Sequence, residues 1–160
     1  AQQALLDGET RLAASPLQGT TIRLSGIYGP GRSDRMIERL LEAGPSFDPD
    51  EPAWMNHVHR DDAAGAIAHL LLDVPAVDRA SLYLGTDRQP VQREAYFRWI
   101  FEQLGRPIDG PSTPRNPRGR NKRLSSRRLA ESAGYRFRFP SVYEGLRPVL
   151  ERFRSEQNKS

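Results

Sequence analysis

Residues 20–32, TTIRLSGIYGPGR, open as a β-type run and close in a glycine-rich turn. The β-branched and aromatic residues predict one strand over 20–28, which cannot continue through Gly29-Pro30-Gly31. A helix is expected over 33–43, capped by Ser33 or Asp34, with Met36, Ile37, Leu40 and Leu41 on one face and Gly44-Pro45 at its end. A strand that passes through a glycine turn into a helix lets a ligand approach bare backbone. The same build recurs at 54–72, WMNHVHRDDAAGAIAHLLL, where a short run feeds through Asp61 or Asp62, as cap, into a helix ending near Asp73. That helix is apolar nearly all round and is expected to lie deep against a sheet.

Outward from these stretches, residues 81–85 read as another strand, 87–90 as a turn and 93–104 as a helix. The helix carries a stripe of Tyr96, Phe97, Ile100 and Phe101, which is expected to be core rather than a stacking platform. Residues 45–53 form a proline-rich acidic loop, expected to be mobile, and 105–119 lack periodicity. Ser125 or Ser126 caps a short helix ending at Gly134, residues 135–139 alternate aromatic residues with arginine as a short strand or extended arm, and a helix spans 141 to about 154 before a flexible tail over 155–160. The opening AQQALLDGETRLAAS resembles the end of an amphipathic helix with no cap before it, so the chain is expected to be truncated there. The alternation of strands and helices predicts an α/β fold in one unit over residues 1–160.

With 160 residues, 37% of them hydrophobic, the chain can bury a modest core. It has no cysteine, which removes disulfides and thiolate zinc sites and fits a reducing, cytoplasmic setting. No run approaches the ~18 apolar residues of a membrane span, and the expectation is a soluble protein with no membrane partner. The net charge of +4 is uneven: residues 106–138 hold ten Lys or Arg against Asp109 and Glu131. Clustered arginines at 115–128, RNPRGRNKRLSSRR, suit phosphate-backbone binding, but no aromatic residue is interleaved among them. A basic nucleic-acid or anion-binding module is thus a rival reading of this run, although nucleic acid is not the expected partner.

In TTIRLSGIYGPGR followed by MNHVHRDDAAGAI the chain resembles the extended and atypical short-chain dehydrogenase/reductase superfamily, specifically its NAD-dependent epimerase/dehydratase group. The likeness continues through SLYLGTDRQPVQREAYFRWIFEQLG, NKRLSS and AGYRFRFPSVYEGL, nearly the whole chain. It implies the C-terminal, substrate-side lobe of a Rossmann-like enzyme that lacks its N-terminal dinucleotide-binding half. Residues 1–14 are then a remnant of the catalytic helix. Members of the family carry a GxGxxG phosphate turn and a tyrosine and lysine four apart, and neither is in this sequence. The chain alone is expected to be inactive and to show no dinucleotide binding by calorimetry.

The resemblance implies NAD or NADP as cofactor of the parent enzyme and hydride transfer on a small oxygenated substrate, by epimerisation, dehydration or reduction. It assigns backbone contact with the cofactor to Leu24, Ser25, Gly26 and Ile27, and substrate contact to Tyr28, Arg32, Asn56 and His59. Gly26 stands where many nucleotide-sugar enzymes have asparagine, and Met55 where they often have arginine. A third reading is a cofactor-sensing relative without turnover. His57 and His59 are expected to point one inward and one outward, and no third ligand converges on them, so no metal is expected. Asp61 and Asp62 are read as structural rather than as an acid/base pair. The partners implied are a small-molecule substrate, the missing half of the enzyme and a second copy bound through an exposed sheet edge.

Overall fold

Residues 20–28 form two strands rather than the expected one. In the computed structural model β1 (Thr21–Leu24) and β2 (Gly26–Tyr28) share an extended course but change partners at Ser25. β1 lies parallel to β5 (Leu82–Gly85), with Leu24 opposite Gly85, whereas β2 lies parallel to β4 (His57–His59), with Gly26 opposite His57 and Tyr28 opposite His59. Two backbone bonds carry the exchange: the Ser25 amide donates to the Gly85 carbonyl at 2.9 Å, and the Gly26 amide to the Asn56 carbonyl at 3.1 Å. Parallel strands need crossovers, supplied by α2 (Arg32–Ala43) before β4 and α3 (Arg60–Leu72) before β5. β3 (Trp54–Met55) pairs antiparallel with β6 (Val91–Gln92), which leads into α4 (Arg93–Gln103); α1 (Gln2–Ala13) and α5 (Val142–Gln157) open and close the chain. The structure describes residues 2–17, 19–45, 47–48, 53–108 and 121–157. The acidic run at 49–52, the first part of the basic run, at 115–120, and the last three tail positions lie outside the described residues.

The helix starts differ from the sequence reading, and local donors explain why. α2 begins at Arg32, so Ser33 and Asp34 are inside its first turn and reach backward: the Ser33 hydroxyl accepts from the Gly29 amide at 2.9 Å and the Asp34 carboxylate from the Gly31 amide at 2.7 Å. Gly29 has a φ of 135°, and a Cβ there would sit 3.0 Å from His59 Nε2, so the turn needs glycine. α3 is capped by neither aspartate. His59 does it, its Nδ1 accepting from the Asp61 amide at 3.2 Å. Asp62 is fully buried and accepts from the Tyr135 hydroxyl at 3.0 Å and from the Arg138 and Phe139 amides at 2.8 and 2.9 Å. It holds residues 135–139 as an arm that joins no strand ladder. The expected short helix before Gly134 is a π-helical turn, Arg128–Ser132, and α5 runs to Gln157, three residues past its expected end.

Buried side chains form two clusters. The larger joins Tyr28, Ile37, Phe47 and Val91 to the α4 stripe and to Val142, Leu146, Val149 and Leu150 of α5, as expected for that stripe. The smaller holds Ala66, Leu70, Tyr83, Leu129 and Ala133 under one face of α3. α3 is not deep on all sides: Leu71 and Leu72 are 63% and 82% exposed. Among the described residues no helix is long and apolar enough to cross a membrane.

Candidate functional site

Where β2 turns into α2, a cavity of about 630 Å³ opens between the strand end and the helix. Ile27, Tyr28, Ser33 and Met36 line it from the strand and the buried side of the helix. Arg32, Arg35 and Arg39 line it from successive turns of α2, and all three are exposed. Tyr28 is packed from several sides, with its ring edge-on to His59 at 5.2 Å and to His57 at 6.1 Å. Its hydroxyl donates to the Ser141 carbonyl at 3.1 Å, and burial together with the Asp87 carboxylate pushes the phenol upward, so it stays protonated. The ring fits because residue 145 has no side chain: a Cβ on Gly145 would fall 2.3 Å from the Tyr28 hydroxyl oxygen. Tyr28 therefore offers the cavity a ring and not an acid.

Of the residues singled out from sequence, the structure brings Ile27, Tyr28 and Arg32 to one cavity wall. Leu24, Ser25 and Gly26 precede them along the same extended course, with Gly26 exposed and the other two half-buried. Asn56 is spent elsewhere: its amide nitrogen donates to the Lys122 carbonyl at 2.9 Å and its oxygen accepts from the Leu124 amide at 2.7 Å. His59 is buried behind Tyr28, with its ring 3.9 Å from that of Phe139. Burial holds its pKa below the ordinary imidazole value despite the neighbouring Asp61. Neither Asn56 nor His59 lines the cavity.

His57 and His59 do not alternate between inside and outside. Both are buried, because residues two apart on a strand share a face, and the ring of Tyr28 sits against both. His57 is held neutral, its pKa lowered to about 4 by burial, and its Nδ1 has no partner. Beside it Asp87 is 1% exposed and donates its backbone amide to the His57 carbonyl at 2.6 Å. Burial raises its carboxyl to about 7, and Oδ2 is left without a hydrogen bond. The turn signal GTDRQP carries no hint of that burial. Arg35 and Arg39, by contrast, were legible: with Arg32 they repeat at three and four residues, the spacing of one helix face.

The described part of the basic run is turned onto the protein itself. Arg123 lies over the Trp54 ring at 4.9 Å, Arg127 pairs with Glu131, and Arg128 donates to the Leu82 carbonyl at 3.0 Å. Across the cavity wall, then, the chemistry on offer is three guanidinium groups over an apolar floor, beside a strand end with accessible backbone.

No family model and no curated protein matches the sequence. Solved structures do. An NAD-dependent epimerase/dehydratase from Methylobacillus flagellatus is 33% identical over 93% of this chain and 52% of its own, with a TM-score of 0.69. Two others are similar in fold alone. The dTDP-glucose 4,6-dehydratase of Bacillus anthracis, solved in complex with NAD, is 17% identical over 98% of this chain and 50% of its own, with a TM-score of 0.70. The UDP-glucose 4-epimerase of Thermus thermophilus, also solved with NAD, is 20% identical over 95% and 51%, with a TM-score of 0.68. The chain spans about half the length of each structure it matches.

Proposed function

Because the chain belongs to the extended short-chain dehydrogenase/reductase superfamily, we propose that it supplies the C-terminal, substrate-side lobe of an NAD(P)-dependent epimerase/dehydratase or reductase. The reaction is hydride transfer on a small oxygenated substrate, an oxidoreductase or isomerase chemistry, in the cytoplasm. The observation that supports this most is the change of partner at Ser25. In open α/β sheets, ligands bind in the crevice outside the carboxyl ends of strands, at the point where neighbouring connections part. Leu24, Ser25, Gly26 and Ile27 end β1 and begin β2 at that point, and in this reading their backbone lies along the nicotinamide ring of NAD or NADP.

Substrate then occupies the adjoining cavity, with Tyr28 as an apolar edge and Arg32 as a cation. Asn56 and His59 act as positioning residues: Asn56 fixes the segment at 122–124, and His59 fixes the start of α3 behind Tyr28. The sequence holds neither a GxGxxG turn nor a tyrosine and lysine four apart. The phosphate cradle and the proton donor come from a complementary dinucleotide-binding half, and the chain alone turns nothing over. A second copy bound through the free sheet edge is a further partner in this reading.

The test uses the ¹⁵N-labelled chain and nicotinamide riboside at millimolar concentration. Amide shifts concentrated at Leu24–Tyr28 are expected; shifts confined to other elements, or none, would overturn the assignment. Calorimetry with NAD and NADP is expected to give no measurable heat of binding, and micromolar affinity would refute the dependence on a second half.

A further inference from the structure

We infer that the α2 cavity is an anion subsite in which Arg32, Arg35 and Arg39 grip a small dianion, a phosphate ester or a dicarboxylate. Its role as part of the substrate rests on the reading above, whereas its chemistry rests on the residues alone. At three and seven residues from Arg32, Arg35 and Arg39 lie on the same face of the helix, and a rise of ~1.5 Å per residue spreads the row over about 10 Å. That is room for two anionic groups held at once. All three line the same 630 Å³ cavity.

Their lack of a carboxylate partner, which Arg136, Arg147 and Arg154 share, sets them apart from Arg98, Arg127 and Arg23; what they alone share is the cavity they line together. Arg98 pairs with Glu94, Arg127 with Glu131, and Arg23 with Glu9, each through a close carboxylate. The guanidinium groups of Arg32, Arg35 and Arg39 make no hydrogen bond or ion pair with any described residue. Asp34, the carboxylate between them in sequence, is already held by the Gly31 amide and by Arg152. Glu38 and Glu42, on the same helix, do not line the cavity.

Like charges three and four residues apart repel along a helix face, and among the described residues no carboxylate closes an ion pair with any of the three. An incoming anion would offset that repulsion. The amino-terminal end of α2 adds its own positive potential beside Arg32. Guanidinium groups bind phosphoryl and carboxylate oxygens in pairs, and the floor of Ile27, Tyr28 and Met36 lowers the local dielectric and receives the apolar part of a ligand.

The experiment titrates pyrophosphate, inorganic phosphate, malonate and neutral glucose into the full chain by calorimetry, with ¹⁵N amide shifts read in parallel. Pyrophosphate or malonate is expected to bind with shifts at Gly31–Arg39, and glucose is not. Stronger binding of the phosphates assigns the site to phosphate esters; stronger binding of malonate assigns it to dicarboxylates; both outcomes support the subsite. Each single Arg→Gln change in the row is expected to weaken binding about tenfold, and the triple change to abolish it. Arg11→Gln on α1 leaves it unchanged. The triple Arg→Lys chain, which keeps the charge and loses the paired fork, is expected to bind weakly, and it keeps the test decisive if the glutamine chain does not fold. Absence of anion binding, or binding untouched in the substituted chains, overturns the inference. If nicotinamide riboside still shifts Leu24–Tyr28 in that sample, only the anion subsite falls; if it does not, the cofactor reading falls as well.

Discussion

The two buried clusters differ in size and in what covers them. The one beneath the cavity takes large aromatic and aliphatic residues from β2, α2, α4 and α5, so the strand end and the arginine row rest on side chains closed in from all sides. The one behind α3 has few members, two of them alanines, and the opposite face of α3 carries exposed leucines. The difference teaches where rigidity is placed: the candidate site stands on the well-filled side, and the thinly filled side backs onto open surface. Asp62 ties the two, since the arm it holds sends Tyr135 toward the smaller cluster and Phe139 onto His59.

The same substitution in each cluster tests that contrast. Leu146 and Leu129 are both fully buried, in the large and small clusters respectively. Leu146→Ala is expected to cost about 4 kcal/mol and Leu129→Ala about 3 kcal/mol, because a thin cluster against a free helix face collapses more readily around a cavity. Urea unfolding measures both, and a reversed order would break the comparison. Asp62→Ala leaves three donors without their acceptor and is expected to cost about 3 kcal/mol. Hydrogen exchange gives the sharper readout: the amides of Arg138 and Phe139 should lose protection well before those of α4. Unchanged protection there would mean that the arm is held by packing and not by Asp62.

Much of this arrangement was open to sequence reasoning. The break at Gly29-Pro30-Gly31, the core stripe of Tyr96, Phe97, Ile100 and Phe101, and the helices on either side followed from turn chemistry and period alone. What could not be read was pairing at a distance. Nothing in IRLSGIY announces that residues before Ser25 pair with partners 61 positions on and residues after it with partners 31 positions on, since β-propensity reports an extended chain and not its neighbours. Asn56 shows the same limit, because its amide is consumed by backbone groups at 122 and 124. Asp61 and Asp62 looked alike as caps, yet a tertiary contact made one a buried acceptor while a histidine took the cap. The arginine row was legible in spacing but not in purpose until the cavity beside it was seen.

Two buried groups at the ends of β4 and β5 give the site side a pH signature of its own. Asp87 titrates near 3.8 when unfolded and at about 7 when folded, so the stability it allows is full below about pH 4 and is lost as pH rises toward 7. His57 runs the other way. From 6.5 unfolded to about 4 folded, its contribution is full above pH 6.5 and is lost as pH falls toward 4. Over the shared window the slopes oppose, and the intact chain is expected to change little in stability. Asp87→Asn removes one slope and exposes the other. Its melting temperature should then fall on acidification from pH 7 to 4, with a loss on the order of 3 kcal/mol, and should exceed that of the parent chain at pH 8. Identical profiles for the two chains would show that the Asp87 carboxyl is not kept protonated by its burial.

The smallest effect is expected on the bare face of α3, and its smallness is the point. Leu70 faces the minor cluster and is 5% exposed, whereas Leu72, two positions on, is 82% exposed. Leu70→Ser should cost about 3 kcal/mol through lost burial and an unpaired hydroxyl. Leu72→Ser should stay within about 0.5 kcal/mol, as substitutions of open surface do. Melting at several protein concentrations decides what covers that face in solution. If Leu72→Ser costs more than about 1 kcal/mol and the cost grows with concentration, a second copy is burying it, and the contrast between the two clusters would hold only for the isolated chain.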